Sequence, residues 1–241
     1  MTPLLEVAGL SKRFGGLVAV KDLALTVGGG EVVGLIGPNG AGKTTAFGLI
    51  SGSLVPDAGE IVFRGHSIKG LPPHRVCALG MARTFQIMRP FSRLTVVRNV
   101  MIGGLGRHPH PAAAEARSRA IVDELGLGAK ADHLAGSLTL AERKRLELAR
   151  ALATEPVLLL LDEVMSGLGE RETETLVREI RAINARGIAI LLIEHVMRAV
   201  MSLAQRIVVL DGGERIAEGR PATVANDPRV IEAYLGDERL V

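Results

Sequence analysis

Residues 37–45 read "GPNGAGKTT", and the first eight satisfy the spacing G-x-x-x-x-G-K-[ST] in full. Gly37, Gly40 and Gly42 let backbone N–H groups converge on phosphate oxygens, and the helix that follows adds the positive end of its dipole. Lys43 is spaced to reach β- and γ-phosphates, and the Thr44 hydroxyl to ligate Mg²⁺. A second chemical stretch, "VLLLLDE", is an apolar strand ending in Asp162 and Glu163. In a parallel sheet ligands gather at the carboxyl ends of strands. Asp162 therefore suits a Mg²⁺ shell, and Glu163 suits the polarising of an attacking water. "AILLIEH" repeats the pattern and delivers His195 to the same edge, within reach of a γ-phosphate. Phe14 stands out in a chain with only 2% aromatic residues. Its ring suits stacking on adenine, and equally a place in the core. Gln86, in "ARTFQ", reads by itself as a solvated residue.

A third stretch, "LTLAERKRLELARAL" from Leu138, raises a different question. Thr139 and Glu142 form a T-x-x-E capping box, which starts a helix at 139–140. Glu142 with Arg145, Arg143 with Glu147, and Glu147 with Arg150 are spaced for ion pairs along that helix. Leu146, Ala149 and Ala153 give an apolar stripe, and "RKR" reads as a solvated face. The helix head leaves N–H groups able to face an anion.

These residues must be carried by a definite scaffold. Short β-like segments divided by glycine fill the first 65 or so positions: "LLEVAGL", "VAVKDLALTV", "EVVGLIG" and "GEIVFRG". Helical character runs from about 86 to 153. Strands return at "PVLLLLDE", "GIAILLIEH" and "RIVVLDGGERIAEG", with "RETETLVREIRAINARG" as a helix between the first two. Strands alternating with helices predict an α/β fold: a P-loop NTPase core with a mainly parallel sheet, an N-terminal antiparallel β subdomain and an inserted α-helical subdomain. The whole chain, 1–241, reads as one domain, with a short tail from about 220.

Composition narrows the function. The chain has 241 residues, 47% hydrophobic and 23% charged, which supports a packed core. The formal charge of +3 gives no cause to expect nucleic acid as a partner. Cys77 is the sole cysteine, so an internal disulfide or a cysteine zinc site is excluded. The longest apolar runs fall far short of the roughly 20 residues that span a bilayer. The N-terminus lacks the pattern of a secretory signal. "GRHPHPAAAEA" reads as a proline-broken connector, with His108 and His110 lacking further ligands.

In order along nearly the whole chain, Phe14, the loop 37–45, Gln86, the stretch 138–142, Asp162-Glu163 and His195 resemble the motifs of the ATP-binding subunit of an ABC transporter. The resemblance implies ATP and Mg²⁺ bound between two such subunits packed head to tail. Gly37, Pro38, Asn39, Gly40, Ala41, Gly42, Lys43, Thr44 and Thr45 would hold the phosphates, and Phe14 the adenine. The partner's nucleotide would meet Thr139, Ala141 and Glu142. Gln86 would join Thr44 and Asp162 at Mg²⁺ and link the attacking water to a membrane partner. Glu163 would be the general base and His195 the γ-phosphate sensor.

The wording of 82–103, 145–156 and the tail "NDPRVIEAYLG" is similar to the ATPases of branched-chain (hydrophobic) amino acid importers. That likeness implies a second ATPase subunit, identical or paralogous, two transmembrane permeases and, indirectly, a substrate-binding protein, with the chain peripheral on the cytoplasmic face of the inner membrane. A lipid transporter of similar build is the alternative, and after it a soluble DNA-acting ABC ATPase. The interval from Lys43 to Asp162 is too short for a coiled-coil arm and holds no sustained heptads. Two departures stand out. The family's L-S-G-G-Q reads Leu138-Thr139-Leu140-Ala141-Glu142, and the aspartate that usually follows the catalytic glutamate is replaced by Gly169. The altered signature is expected to lower catalysis at the site it completes without abolishing it.

Overall fold

A computed structural model describes residues 2–84, 90–107 and 110–237. Two sheets organise them. The smaller is antiparallel, order β2-β1-β4-β5, from β1 (Leu5–Phe14), β2 (Leu17–Val27), β4 (Ala58–Phe63) and β5 (His66–Ser67). The larger runs β10-β9-β3-β8-β7-β6. It contains β3 (Val32–Ile36), β6 (Met81–Arg83), β7 (Leu158–Asp162), β8 (Ala189–Ile193), β9 (Arg206–Asp211) and β10 (Glu214–Gly219). All its pairings are parallel except the β9–β10 hairpin, which turns at Gly212-Gly213.

The central strands are apolar throughout because both faces of the sheet are covered, as a parallel sheet requires. Alternate residues point to opposite sides. Val33, Leu35, Leu158, Leu160, Leu191 and Ile193 join the small sheet and α1 (Lys43–Ile50). Ile36, Leu159, Leu161, Ile190 and Leu192 join a second core, built with helices. The helices that follow are α2 (Pro73–Ala78), α3 (Val96–Gly104), α4 (Pro111–Glu124), α5 (Leu140–Leu152), α6 (Glu170–Ala185), α7 (Met197–Leu203), α8 (Pro221–Val224) and α9 (Pro228–Asp237). Helices α3, α4 and α5 pack on one another, and α5 also touches β6.

Strand β6 has only three residues and no strand-like pattern, and sequence reading gave it no place. Pairing with β7 makes it an edge strand. No helix among the described residues is long and apolar enough to cross a membrane. No group of three metal-ligating side chains gathers among them either.

Candidate functional site

The phosphate loop follows β3, whose five residues are all buried. Gly37 and Gly42 take φ of 151° and 96°. A Cβ at Gly37 would stand 2.0 Å from the Leu210 carbonyl oxygen, and one at Gly42 2.3 Å from that of Ala19. The two glycines thus answer to packing against β9 and β2 as well as to conformation. Gly40 faces open space. Lys43 is buried, and its Nζ donates to the carbonyls of Gly37 and Pro38 at 2.7 and 2.8 Å. Those bonds hold the ammonium inside the arch of the loop. Pro38 and Ala41 are buried, whereas Asn39 and Thr44 are exposed and Thr45 half-buried.

Phe14 ends β1 and pairs with Leu17 across the turn. It is 46% exposed with Lys12 Nζ 5.6 Å from its ring centroid, so the core alternative for this residue does not hold. The same hairpin runs on to Ala19, which lies against Gly42. That contact brings the ring's strand to the side of the loop.

Register explains the acidic edge. Asp162 on β7 is level with Ile193 on β8, so Glu163 and His195 emerge together. His195 Nε2 lies 2.8 Å from Glu163 Oε1. Glu163 has φ of 50°, a left-handed conformation that costs a non-glycine residue about 1–2 kcal/mol. Its amide donates to the Ile193 carbonyl at 2.9 Å, which anchors the turn to β8.

Asp162 is buried. Its Oδ2 accepts from Arg83 at 2.8 Å, while Oδ1 is buried and meets no hydrogen-bond partner among the described residues. A buried anionic oxygen without a donor fits the oxygen shell of a divalent cation. With the Thr44 hydroxyl on the exposed head of α1, the donor set fits Mg²⁺. Gln86 lies outside the described residues, as does His108.

At the head of α5 the capping box is complete. Thr139 Oγ1 accepts from the Glu142 amide at 3.4 Å, and Glu142 Oε2 accepts from the Thr139 amide at 2.9 Å. Leu140 and Ala141 open the helix, and their amides have no intrahelical acceptor. Glu142 pairs with Lys130 at 2.6 Å rather than with Arg145, which reaches Glu179 on α6 at 3.1 Å. The bond from Lys130 holds the Glu142 carboxyl below its ordinary range. Its negative charge is thereby balanced within the chain.

"RKR" is not a solvated face either. Lys144 is buried and donates to the Glu163 carbonyl at 2.9 Å. Sequence reading missed it, and with it Glu194 and Arg83. The signal was available for Lys144: Ala141, Lys144 and Leu148 share a helix face, and all three are buried. Gly169, at the lost aspartate's position, caps α6, its amide donating to Glu172 Oε2 at 3.0 Å.

A glycine loop between strand and helix, two carboxylates and a histidine at one sheet edge, and a capped helix packed on α3 and α4 define an ATP-binding cassette. The ABC transporter family model matches residues 20–166, and the chain belongs to that family. It is an ATPase of that class. Residues 214–239 match the model described as the branched-chain amino acid ATP-binding cassette transporter. The high-affinity branched-chain amino acid transport ATP-binding protein LivG of Salmonella typhimurium is 40% identical over 253 residues, with 98% of each chain covered. The lipopolysaccharide export system ATP-binding protein LptB of Acidithiobacillus ferridurans is 36% identical, with 99% of each covered. Among solved structures, the ADP conformation of MJ1267, an ATP-binding cassette of an ABC transporter, superposes with a TM-score of 0.89 at 30% identity, covering 98% of this chain and 100% of that one.

Proposed function

We propose that this chain powers an importer of branched-chain or other hydrophobic amino acids, working on the cytoplasmic face of the membrane with a second ATPase subunit, two permeases and, indirectly, a substrate-binding protein. The observation that carries the cargo is the match of residues 214–239, since the phosphate loop and acidic edge belong to cassettes of every cargo. Likeness to LivG over nearly the full length supports the same reading.

In the proposed cycle the adenine of ATP stacks on exposed Phe14, and amides of loop 37–45 hold the phosphates. Lys43 exchanges its two carbonyl acceptors for β- and γ-phosphate oxygens. Thr44, Asp162 and Gln86 would hold Mg²⁺, which when bound supplies positive charge to the phosphate oxygens. Glu163 accepts a proton from the attacking water. His195 fixes Glu163 Oε1 by the 2.8 Å contact and reports on the γ-phosphate. The partner's Thr139 end closes over the nucleotide, offering the hydroxyl and the free amides of its first helical turn.

Two measurements test the reading. Glu163→Gln is expected to trap an ATP-bound dimer and to lower turnover about 10²–10⁴-fold. Turnover at the wild-type rate would remove Glu163 from the role of base. The complex that co-purifies with the chain from membranes is expected to take up leucine, isoleucine or valine into vesicles when ATP is supplied. Extraction of lipid by that complex, with no amino acid uptake, would transfer the chain to the lipid-transporting branch.

A further inference from the structure

Two buried ionisable side chains stand beside the acidic edge with no part in the proposed cycle. Glu194 lies between the last residue of β8 and His195 and is only 1% exposed. Its Oε1 accepts from the Met165 amide at 2.8 Å. Lys144, 4% exposed on α5, donates from Nζ to the Glu163 carbonyl at 2.9 Å. The same carbonyl accepts from the Ser166 amide at 3.2 Å. Residues 163–166 thus form a turn gripped at one end by a helix and in the middle by a strand end.

We propose that Lys144 and Glu194 are positioning residues that clamp this turn and thereby set the Glu163 carboxylate against the attacking water. The proposal rests on Glu163 being the base. Its force comes from the backbone at Glu163, which sits in the left-handed region at φ 50°. A non-glycine residue stays there only when its surroundings over-determine it. Here the amide is held by Ile193 and the carbonyl by Lys144, while Glu194 holds the amide two residues on. Releasing the carbonyl lets the peptide relax and swings the side chain off its line to His195.

The two side chains also act on each other. Burial pushes the Glu194 carboxyl up to about 7, while the nearby Lys144 ammonium pulls it down.

The test measures ATP turnover and nucleotide affinity on the full-length chain. Lys144→Met keeps the apolar stem and removes the donor. The expected result is a fall in kcat of about 10- to 100-fold with KM changed less than about twofold, as for misplacement of a reacting group. Lys144→Arg restores kcat to within about threefold. Lys144→Met combined with Glu194→Gln leaves no unpaired buried charge, folds, and shows the same loss of kcat. Placed in a Glu163→Gln background, Lys144→Met has no further effect, because the group it positions is already gone. Wild-type kcat in both Lys144→Met variants, or a parallel collapse of kcat and nucleotide affinity, overturns the clamp. If Glu163→Gln is inactive in that case, the base assignment stands without it. A fully active Glu163→Gln removes both.

Discussion

In the proposed cycle the phosphate loop and the head of α5 are the two halves that complete a nucleotide site, and they tolerate change in different ways. At the loop, Gly37 and Gly42 press against carbonyls of neighbouring strands, so their residue type is fixed by contact. At the head of α5, Leu140 and Ala141 replace two glycines, yet the helix start is intact. Thr139 and Glu142 still satisfy each other's amides. A loop that must fold back on itself depends on glycine, whereas a helix end depends on its cap and presents free amides with almost any residue in its first turn. The departure at the signature therefore touches space near the phosphate more than architecture.

The contrast can be broken most severely at the loop. Gly42→Ala places a Cβ 2.3 Å from a backbone oxygen at φ 96°, and is expected to destabilise the protein by about 3 kcal/mol or more and to abolish ATP binding. Thermal unfolding that matches wild type would show the strand can retreat.

Next in size is a difference in pH response between two carboxylates, Glu194 behind the acidic edge and Glu142 at the head of α5. Glu194 has a raised carboxyl, about 7 against 4.5 for the free group, owing to burial. Between those values the unfolded chain has lost the proton and the folded chain keeps it, so stability falls as pH rises through that window. Glu194→Gln is expected to remove about 2 kcal/mol of that slope, read from denaturant unfolding at pH 4.5 and 7. Glu142 runs the other way. Its carboxyl is held low by Lys130, so its contribution is present above 4.5 and is lost as pH falls. A Glu194→Gln slope equal to wild type would dismiss the buried carboxyl as the cause.

Thr139→Ala removes the cap and is expected to cost about 1 kcal/mol by unfolding, with ATP affinity of the phosphate loop in the same chain unchanged. Loss of that affinity would mean the two halves are not separable. The smallest effect belongs to Ala141→Gly. In the assembled transporter it is expected to raise ATP turnover about two- to fivefold, against a helix penalty of about 0.5–1 kcal/mol. No change would show that the methyl group lies clear of the nucleotide.

Much of this was legible along the chain because it is local. "GPNGAGKT", the capping box at Thr139 and Glu142, and the apolar strands ending in Asp162 and at His195 each sit within a few consecutive residues. Ion pairing was not legible in the same way. Helical spacing joined Glu142 to Arg145, but each found a partner on another element, Lys130 and Glu179. Helix neighbours three or four apart stabilise each other only slightly, and a better-placed group across a tertiary contact wins. Arg83 on Asp162 follows the same logic, as a contact across two strands far apart in sequence. Strand β6 escaped notice because three residues carry no period of two.

By itself, then, the sequence determined which groups could touch phosphate and which strands are buried, since motif spacing and continuous apolar runs encode both. Tertiary structure decided which buried charges meet at the acidic edge. Lys144 turned inward because its helix packs on β6 and against the turn after β7, and Glu194 because the register of β7 on β8 brings Met165 to it. Neither side chain announces a partner in its own neighbourhood, and burial without one would be costly enough that only the folded chain could have paired them.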